Sequence, residues 1–428
     1  MTHFNAAHVR SDRPSLAWFV MVGGAYFLTA QVSLTFVVEP ENIAAIWPPV
    51  GLALAVLLLR PRRDWPFIVV AIGLAVTVAN LLAGTSLPIS LGFAIANAVE
   101  PLLAASLMRT VLEPPIKMTR LSEVAALVFL AATGSMSVTS LLGAAVATFG
   151  FGAPFWPAWR VWLVGGALGM LMVCPVVLTA AHADLRFFPR GGSHRSFGDL
   201  LVFVLLVAST FLIFGRVVKN DTFLLVLPYL TLPFLLWISV RRGPRGAALS
   251  SLALSCIAVW ETVRGRGPFV IAGSSKAEHI LAVQVYLGVA VLSALVVAAV
   301  MSERLGLEGA LERSERRFRA MFNSQFQFVG LMQPNGTLIE ANRTALEFGG
   351  LEPEDVLDKP FWHARWWTIS PETQRRLREA IQVAANGEFV RYDVEVLGAG
   401  NTTTTIRFLD QARVRRARAR DAAHCRRA

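Results

Sequence analysis

Glu100 is the residue whose type and position most directly suggest chemistry. It lies near the middle of a long apolar stretch, ISLGFAIANAVEPLLAASLM, and Asn97, three residues earlier, falls on the same face of a helix. A carboxylate there costs several kcal/mol unless it is protonated, paired with a cation or facing water. Arg160 is a conceivable partner, but its position at the end of an apolar run argues against direct pairing. Glu100 and Asn97 therefore form either a structural polar cluster or a site for a ligand or proton.

The apolar runs around Glu100 indicate an integral membrane protein. The 428-residue chain is 54% hydrophobic and only 16% charged, whereas soluble domains are about one-quarter charged. A helix of about 20 apolar residues crosses a hydrocarbon core of roughly 30 Å. On this basis we predict a multi-pass α-helical membrane bundle of about ten spans within residues 16–301: 16–38, 46–59, 66–84, 89–108, 122–147, 159–180, 200–215, 222–240, 247–263 and 280–301.

Basic residues between the apolar runs predict the orientation of the bundle. Cytoplasmic loops are richer in Lys and Arg than loops on the other side. If the N-terminal segment 1–15 is cytoplasmic, the inside positions hold 14 Lys and Arg and the outside positions hold 6. This alternation predicts an even number of spans with both termini in the cytoplasm. More than half of the net charge of +11 lies in the last 16 residues, and the rest lies mostly in short loops, where it relates to membrane orientation and not to nucleic acid.

Two stretches of the predicted bundle carry more information than hydropathy. Trp47 suits a membrane interface, and Pro48 follows it at a helix start, where a missing N–H costs little. Farther along, Gly165, Gly166 and Gly169 lie on or near one helical face, which permits close helix approach. The candidate sensing or ligand residues in this half are Trp47, Pro48, Asn97, Glu100 and Arg160.

The last predicted span continues without a helix breaker into a charged segment, residues 302–321. Apolar positions recur there at alternating spacings of four and three residues, which is typical of a short parallel coiled coil. These seam residues are Leu307, Leu311, Ser314, Phe318 and Met321. The pattern predicts a homodimer joined through a signalling helix; the alternative is an amphipathic linker that packs on its own soluble domain.

Residues 322–408 show the pattern of a mixed α/β domain. Two short strands flank a turn at Pro334-Asn335-Gly336, which predicts a hairpin. Ser370 is a natural N-cap, and Pro371 suits the first position of a helix that ends at Asn386-Gly387. From Val390 onward, strict alternation of apolar and polar residues predicts antiparallel strands.

The membrane half resembles the first-described membrane-associated sensor domain (MASE type) of bacterial signalling proteins. The resemblance rests on IWPPVGLALAVLLL followed by RPRRDWP, on NAVEPLLAASLMR, and on the W-x-x-W, G-x-x-x-G and C-P positions from Trp159 to Pro175. It implies a sensor in the bacterial plasma (inner) membrane. Such domains usually precede cytoplasmic PAS modules and then a histidine kinase or a diguanylate cyclase.

The soluble half resembles PAS sensor domains. The matching features are the F-x-F-V-G-L strand, the P-N-G-T-L turn and the N-R-T-A-L helix. The resemblance implies a cavity that holds haem, flavin, a small ligand or nothing, and the residues indicate no particular cofactor and no metal site. Four residues would line or border this cavity, unless they simply form the core: Trp362, His363, Trp366 and Trp367.

The segment 409–428 departs from the PAS pattern. It contains seven Arg and one Asp in its last 16 residues and shows no strand alternation. We expect either a basic tail in contact with anionic lipid or a stretch translated out of frame. A PAS domain without its last strand would be truncated, with an unpaired sheet edge and an open cavity.

No catalytic motif is recognisable in the chain, which contains neither a P-loop nor the boxes of a kinase or a cyclase. We therefore predict the input half of a membrane-bound signal receptor that relays a stimulus from the bundle through a helix to a PAS domain. The partner would be a response regulator or a membrane protein. The alternative is a transporter-like or adaptor membrane protein with a regulatory PAS domain.

Overall fold

The computed structural model describes residues 16–38, 43–182, 194–216, 222–270 and 275–410. The predicted N-terminal segment 1–15 and the basic tail from residue 411 onward lie outside the described residues. The chain divides into two compact units, Met1–Leu307 and Glu308–Ala428.

Helices build the first unit. A short antiparallel pair, β1 (Val37–Val38) and β2 (Ile43–Ala44), lies between the first two of them. In chain order the α-helices are α1 (Leu16–Leu34), α2 (Pro48–Leu59), α3 (Trp65–Leu82), α4 (Leu87–Val111), α5 (Leu121–Ala126), α6 (Met136–Phe151), α7 (Phe155–Ala181), α8 (His194–Phe214), α9 (Leu232–Val263) and α10 (Lys276–Asn323), which continues into the second unit.

Seven helices in the described part of the chain are long and apolar enough to cross a membrane. They are Arg62–Leu82, Leu87–Val111, Leu121–Phe151, Phe155–Ala181, Phe197–Phe214, Val226–Val263 and Lys276–Asn323. Two shorter apolar helices, Trp18–Leu34 and Pro48–Leu59, fall below that length. The predicted multi-pass helical bundle is therefore confirmed, whereas the count of ten spans is not confirmed by this measure.

The predicted spans 222–240 and 247–263 belong to one helical segment with a break. At Gly243 the backbone turns to φ 61° and ψ −155°, and Pro244 follows. Glycine adopts positive φ without a Cβ clash, and proline supplies no N–H to continue the helix. The segment Thr222–Thr231, which contains Pro228, is a 3₁₀-helix instead of the start of an α-helix.

The predicted span 122–147 corresponds to a rod built from α5, a π-helical stretch (Leu127–Ser135) and α6. π-Helical turns are rare and occur frequently at functional sites. The rod is continuous because no proline or left-handed residue interrupts it between residues 121 and 151.

Helices α2 and α7 cross so closely that a glycine of each helix lies against the backbone of the other segment. A Cβ added at Gly169 would lie 2.1 Å from the carbonyl oxygen of Trp47, and one added at Gly51 would lie 2.2 Å from the carbonyl oxygen of Gly169. The amide of Trp47 also donates to the carbonyl oxygen of Gly165 at 3.1 Å. The predicted close approach at the α7 glycines is confirmed.

The second unit has the element order of a PAS domain. Strands β3 (Gly330–Met332) and β4 (Leu338–Ala341) form one antiparallel hairpin, and β5 (Val390–Leu397) and β6 (Thr403–Asp410) form another. Between them lie α11 (Arg343–Gly349), α12 (Pro353–Val356), two 3₁₀ turns and α13 (Pro371–Ala385). Within the described residues the two hairpins form separate two-stranded sheets.

The local predictions for this unit are confirmed. The side chain of Ser370 accepts a hydrogen bond from the amide of Thr373, Pro371 begins α13, and Asn386 follows its last residue. Gly336 sits in the turn with φ 84°. The apolar face of α13 packs into a core that also holds Trp367 and Phe408.

Candidate functional site

The carboxyl group of Glu100 is completely buried in the helical unit. Helix α4 carries it, and α7 supplies its hydrogen-bond donor: Trp162 Nε1 donates to Glu100 Oε2 at 3.1 Å. Glu100 Oε1 has no hydrogen-bond partner among the described residues. A methyl group added at Gly166 would lie 2.8 Å from Oε1. The absence of a side chain at position 166 therefore makes room for the carboxyl group.

A small cavity lies beside Glu100. Its volume is about 40 Å³, enough for roughly two water molecules. The lining is mainly apolar and aromatic, with two asparagines: Leu34, Ala44, Trp47, Asn80, Phe93, Asn97, Trp162 and Gly166. The rings of Phe93 and Trp162 stack with centroids 5.6 Å apart. Glu100 does not line the cavity itself, but Trp162, which donates to its carboxyl group, and Gly166, which lies next to that group, both do.

A chain of hydrogen bonds connects three helices at this cavity. Trp47, which precedes α2, donates its indole N–H to Tyr26 Oη at 3.3 Å, and Tyr26 Oη donates to Asn97 Oδ1 at 3.2 Å. Tyr26 belongs to α1 and is fully buried. The sequence alone did not identify Tyr26, although a tyrosine inside an apolar run needs a partner for its hydroxyl group.

The structure brings Trp47, Asn97 and Glu100 together but places the other two candidates elsewhere. Pro48 is the first residue of α2 and serves as a helix start. Arg160 is exposed and forms no ion pair with Glu100 among the described residues. Trp162, two residues after Arg160, supplies the contact with Glu100 instead.

The π-helical rod contacts both the Glu100 region and α10. At its middle, Ser135 Oγ donates to the carbonyl oxygen of Glu100 at 3.0 Å. At its beginning, the amide of Leu121 donates to Glu303 Oε2 at 3.2 Å. The rod therefore connects the backbone of Glu100 with Glu303, the residue at which α10 becomes charged. The π-helical geometry had no sequence signal, and the pairing of residues 121 and 303 spans 182 positions.

The seam of α10 is exposed. Leu307 is 68% exposed and Leu311 is 71% exposed, and Phe318 and Met321 are also exposed. The same segment of α10 carries two ion pairs, Arg316 with Glu312 at 3.3 Å and Arg319 with Glu315 at 2.7 Å. An apolar stripe of this kind on a helix is available for a second helix.

Within the second unit, Asn342 holds the last turn of α10 against the segment that precedes β3. Its Oδ1 accepts from the amides of Val329 and Ala345, and its Nδ2 donates to the carbonyl oxygens of Gln327 and Phe322. Phe322 belongs to the last turn of α10. The sequence signal for this role was an Asn directly before a helix, a preferred N-cap residue.

A cleft of about 650 Å³ lies in the second unit between the two hairpins. Trp366 and Trp367 line it, together with β3 and β6 residues such as Met332 and Phe408. Trp362 and His363 are not among the lining residues. The ring of Trp362 is covered by the guanidinium of Arg378 at 4.5 Å, and His363 is exposed.

The β5–β6 hairpin carries a charged pair and a buried phenol. Arg407 Nε donates to Asp393 Oδ1 at 2.7 Å, and this bond holds the pKa of the Asp393 carboxyl below its usual value. The same bond raises the pKa of Arg407. Burial raises the pKa of Tyr392 to about 12, so this hydroxyl group stays neutral at physiological pH.

Comparison with known protein families gives a match that covers nearly the whole helical unit. The family model MASE1 matches residues 18–305, about two-thirds of the chain. The chain belongs to the MASE1 family. A second family model, the PAS fold, matches residues 322–418. The MASE1 match contains the Glu100 cavity, and the PAS match contains the 650 Å³ cleft.

Curated relatives of this MASE1 protein include histidine kinases and a cyclase. Sensor histidine kinase TmoS of Ectopseudomonas mendocina is 41% identical over 86 residues, which is 20% of this chain and 9% of TmoS. Hybrid signal transduction histidine kinase D of Dictyostelium discoideum is 40% identical over 101 residues, 23% of this chain and 6% of that protein. Probable diguanylate cyclase DgcE of Escherichia coli K12 is 22% identical over 388 residues, 89% of this chain and 33% of DgcE.

The chain spans at most one-third of the length of these relatives. Its MASE1 and PAS domains, with sensor histidine kinases among the relatives, make it a membrane sensor input module for signal transduction. Neither family match is to a catalytic domain.

Proposed function

We propose that this MASE1 protein detects its stimulus at the Glu100 cavity and passes the change through a dimer of α10 to the PAS domain. The observation that carries the proposal is α10 itself, a single helix of 48 residues that begins within the membrane unit and ends at the PAS domain. A helix without a break transmits rotation or translation along its axis, whereas a flexible linker would absorb it.

Contacts at each end of α10 support this relay. Near the membrane, Glu303 accepts from the amide of Leu121, at the start of the rod that contacts Glu100. At the far end, Asn342 binds the carbonyl oxygen of Phe322, and the amide of Arg343 donates to Asn323 Oδ1. A displacement of the rod would therefore act on α10 close to where it leaves the bundle.

The output would be a histidine kinase or a diguanylate cyclase, as in the named relatives. The kinase relatives share the higher identity, and the cyclase relative shares the larger part of the chain. A kinase output would make a response regulator the downstream partner. Because the chain contains no cyclase boxes, the proteins that co-purify with it from membranes separate these outputs. A kinase output transfers phosphate from ATP, whereas a cyclase output forms cyclic di-GMP from GTP.

We further propose ten spans with both termini in the cytoplasm. The break at Gly243 divides α9 into two crossings, and the shorter helices α1 and α2 complete the number. Asp199, near the start of α8, pairs with Arg242 at 2.7 Å, just before the break. This pairing supports a common membrane side for the beginning of α8 and the end of the first half of α9.

The opposite side of the bundle supports the same arrangement. The amide of Gly267, which follows α9, donates to the carbonyl oxygen of Arg216, which follows α8. The second half of α9 therefore ends beside the end of α8, as expected if both run from the cytoplasmic side to the outside. Helix α10 then crosses from the outside to the cytoplasm.

Cysteine labelling tests the number of spans. In a cysteine-free background we expect Lys117→Cys to react with an impermeant maleimide only after the cells are opened, because α2 counts as a span. We expect Arg264→Cys to react in intact cells, because α9 crosses twice. Labelling of Lys117→Cys in intact cells would exclude α2 as a span, and protection of Arg264→Cys would exclude the second crossing in α9.

Disulfide crosslinking tests the dimer of α10. We expect Leu311→Cys to form a crosslinked dimer in membranes, since Leu311 lies on the exposed apolar seam. Arg316→Cys is the matched control, because Arg316 lies on the same helix but opposite the seam in the heptad pattern. Equal crosslinking of the two variants, or none at Leu311→Cys, would contradict a dimer through this seam.

A further inference from the structure

The carboxyl group of Glu100 has half of the hydrogen bonding that an ionised carboxylate requires. Trp162 donates to Oε2, and Oε1 has no donor in the part of the chain that the structure describes. The residue is 0% exposed. In a low-dielectric interior, a negative charge without donors on both oxygens and without a cation is strongly unfavourable. The geometry therefore disfavours the ionised form.

The surrounding elements supply no compensating positive charge. The elements packed around the carboxyl group are α1, α2, α3, α6, α7 and the π-helical stretch. Their only ionisable side chains are Tyr26, Arg160 and Cys174. The hydroxyl group of Tyr26 donates a hydrogen bond to Asn97, and Cys174 is buried. Arg160 is exposed and forms no ion pair with Glu100 among the described residues.

Helix α4 also contains a backbone carbonyl oxygen that lacks its helical donor, close to Glu100 in the sequence. Pro101 lies inside α4 and has no N–H, so the carbonyl oxygen of Asn97, four residues earlier, lacks its helical donor. Helical side chains project towards the preceding turn, and Glu100 lies three residues after Asn97. The Glu100 carboxyl group therefore belongs to a residue less than one turn away from a carbonyl oxygen that has no helical donor. The neighbouring cavity, which Asn97, Trp162 and Gly166 line, is large enough to hold water.

We propose that Glu100 is a proton-binding site and that the packed bundle holds it as a neutral carboxylic acid with the proton on Oε1. Loss of the proton leaves two lone pairs of Oε1 facing Gly166 and Met136 without a donor. The bundle then gains stability by admitting water or by moving the π-helical stretch, whose Ser135 binds the Glu100 backbone. The signalling consequence rests on the proposed function; the protonation state does not.

Infrared spectroscopy of the full chain in lipid nanodiscs tests the protonation state directly. At neutral pH we expect a C=O stretching band of a protonated carboxylic acid, a band that exposed carboxylates do not give. Glu100→Gln should abolish it. Glu261→Gln is the matched control, because Glu261 is also buried but pairs with Arg266 at 3.6 Å, so this variant should keep the band.

A second variant keeps the test decisive if Glu100→Gln does not fold. Trp162→Phe removes the donor to Oε2 while Glu100 stays in place, so the band should move to higher frequency. Absence of the band in the wild-type protein at neutral pH, or its persistence in folded Glu100→Gln, would overturn the proposal. A band that does not move in Trp162→Phe would also assign it to another residue.

The crosslinking assay separates this proposal from the relay. With Leu311→Cys, we expect Glu100→Gln to make the crosslinking rate independent of pH, whereas the rate in the parent changes as Glu100 loses its proton. If the infrared band is lost in Glu100→Gln but crosslinking is unaffected, Glu100 binds a proton and the proposed relay is wrong. If the band is absent and crosslinking still responds to another stimulus, the relay stands and the proton site is wrong.

Discussion

Gly169→Ala is expected to destabilise the membrane unit strongly, because the added methyl group has no room. The added Cβ would lie 2.1 Å from the carbonyl oxygen and 2.6 Å from the carbonyl carbon of Trp47. Both are backbone atoms, so no side-chain rotation relieves the clash, and α2 must move away from α7. We expect a cost of about 3 kcal/mol, the upper end of typical overpacking effects. Thermal unfolding of the purified protein in detergent measures it.

Gly73→Ala is the matched control. Gly73 lies inside α3, another apolar helix, and a Cβ added there would meet no atom within 4 Å. Alanine is favoured over glycine in helices by about 1 kcal/mol. This variant should therefore unfold at the same temperature as the parent or slightly higher. Equal effects of the two substitutions would show that the α2–α7 contact is not as close as the structure places it.

Trp367→Ala is expected to lower the stability of the PAS domain by about 3–5 kcal/mol. Trp367 is 2% exposed, lies in the core with Phe408 and Leu377, and is one of the largest fully buried side chains in the described residues. Removing a buried Trp costs about 3–5 kcal/mol. A domain has about 5–15 kcal/mol of stability in total. Limited proteolysis of the full chain should show faster cleavage after residue 322 while the membrane unit remains intact.

A comparison of two Trp→Phe variants separates volume from hydrogen bonding. Trp366 Nε1 donates to the carbonyl oxygen of Ala345 at 3.0 Å, whereas Trp367 Nε1 is buried and has no partner among the described residues. Trp366→Phe loses a bond, and Trp367→Phe removes an unsatisfied donor. We expect Trp366→Phe to be the less stable variant by about 1 kcal/mol. The reverse order would mean that Trp367 Nε1 has a partner, such as water in the cleft.

The separation of the two hairpins gives the large PAS cleft its shape. Trp367 forms part of its wall, together with Met332 of β3 and Phe408 of β6. The two sheets are not hydrogen-bonded to each other within the described residues. The segment expected to lack the last strand lies outside the described part of the chain, so the open cavity of a truncated PAS domain stays a prediction.

Local sequence patterns were sufficient to predict most elements. Ser370 and Pro371 located the start of α13, because capping and proline geometry act within one helical turn. Gly336 located the hairpin turn, since its positive φ suits glycine. Runs of apolar residues located the membrane helices, because crossing a bilayer demands a minimum apolar length.

The break in α9 was visible in the sequence only in part. The charged residues around Gly243 separated two predicted spans, and the structure has the break there. The 3₁₀ segment Thr222–Thr231 was predicted as the beginning of a span, because hydropathy does not distinguish 3₁₀ from α geometry.

The sequence by itself determined that Glu100 is an unusual residue, because a carboxylate in an apolar helix is costly wherever its neighbours lie. It also determined the close-packing role of the α7 glycines. Only the tertiary structure decided that Trp162 and not Arg160 contacts Glu100, that Tyr26 joins Asn97, and that Glu303 meets Leu121. Helix periodicity specifies which face of a helix is buried, but the partner of a buried side chain depends on how distant helices pack.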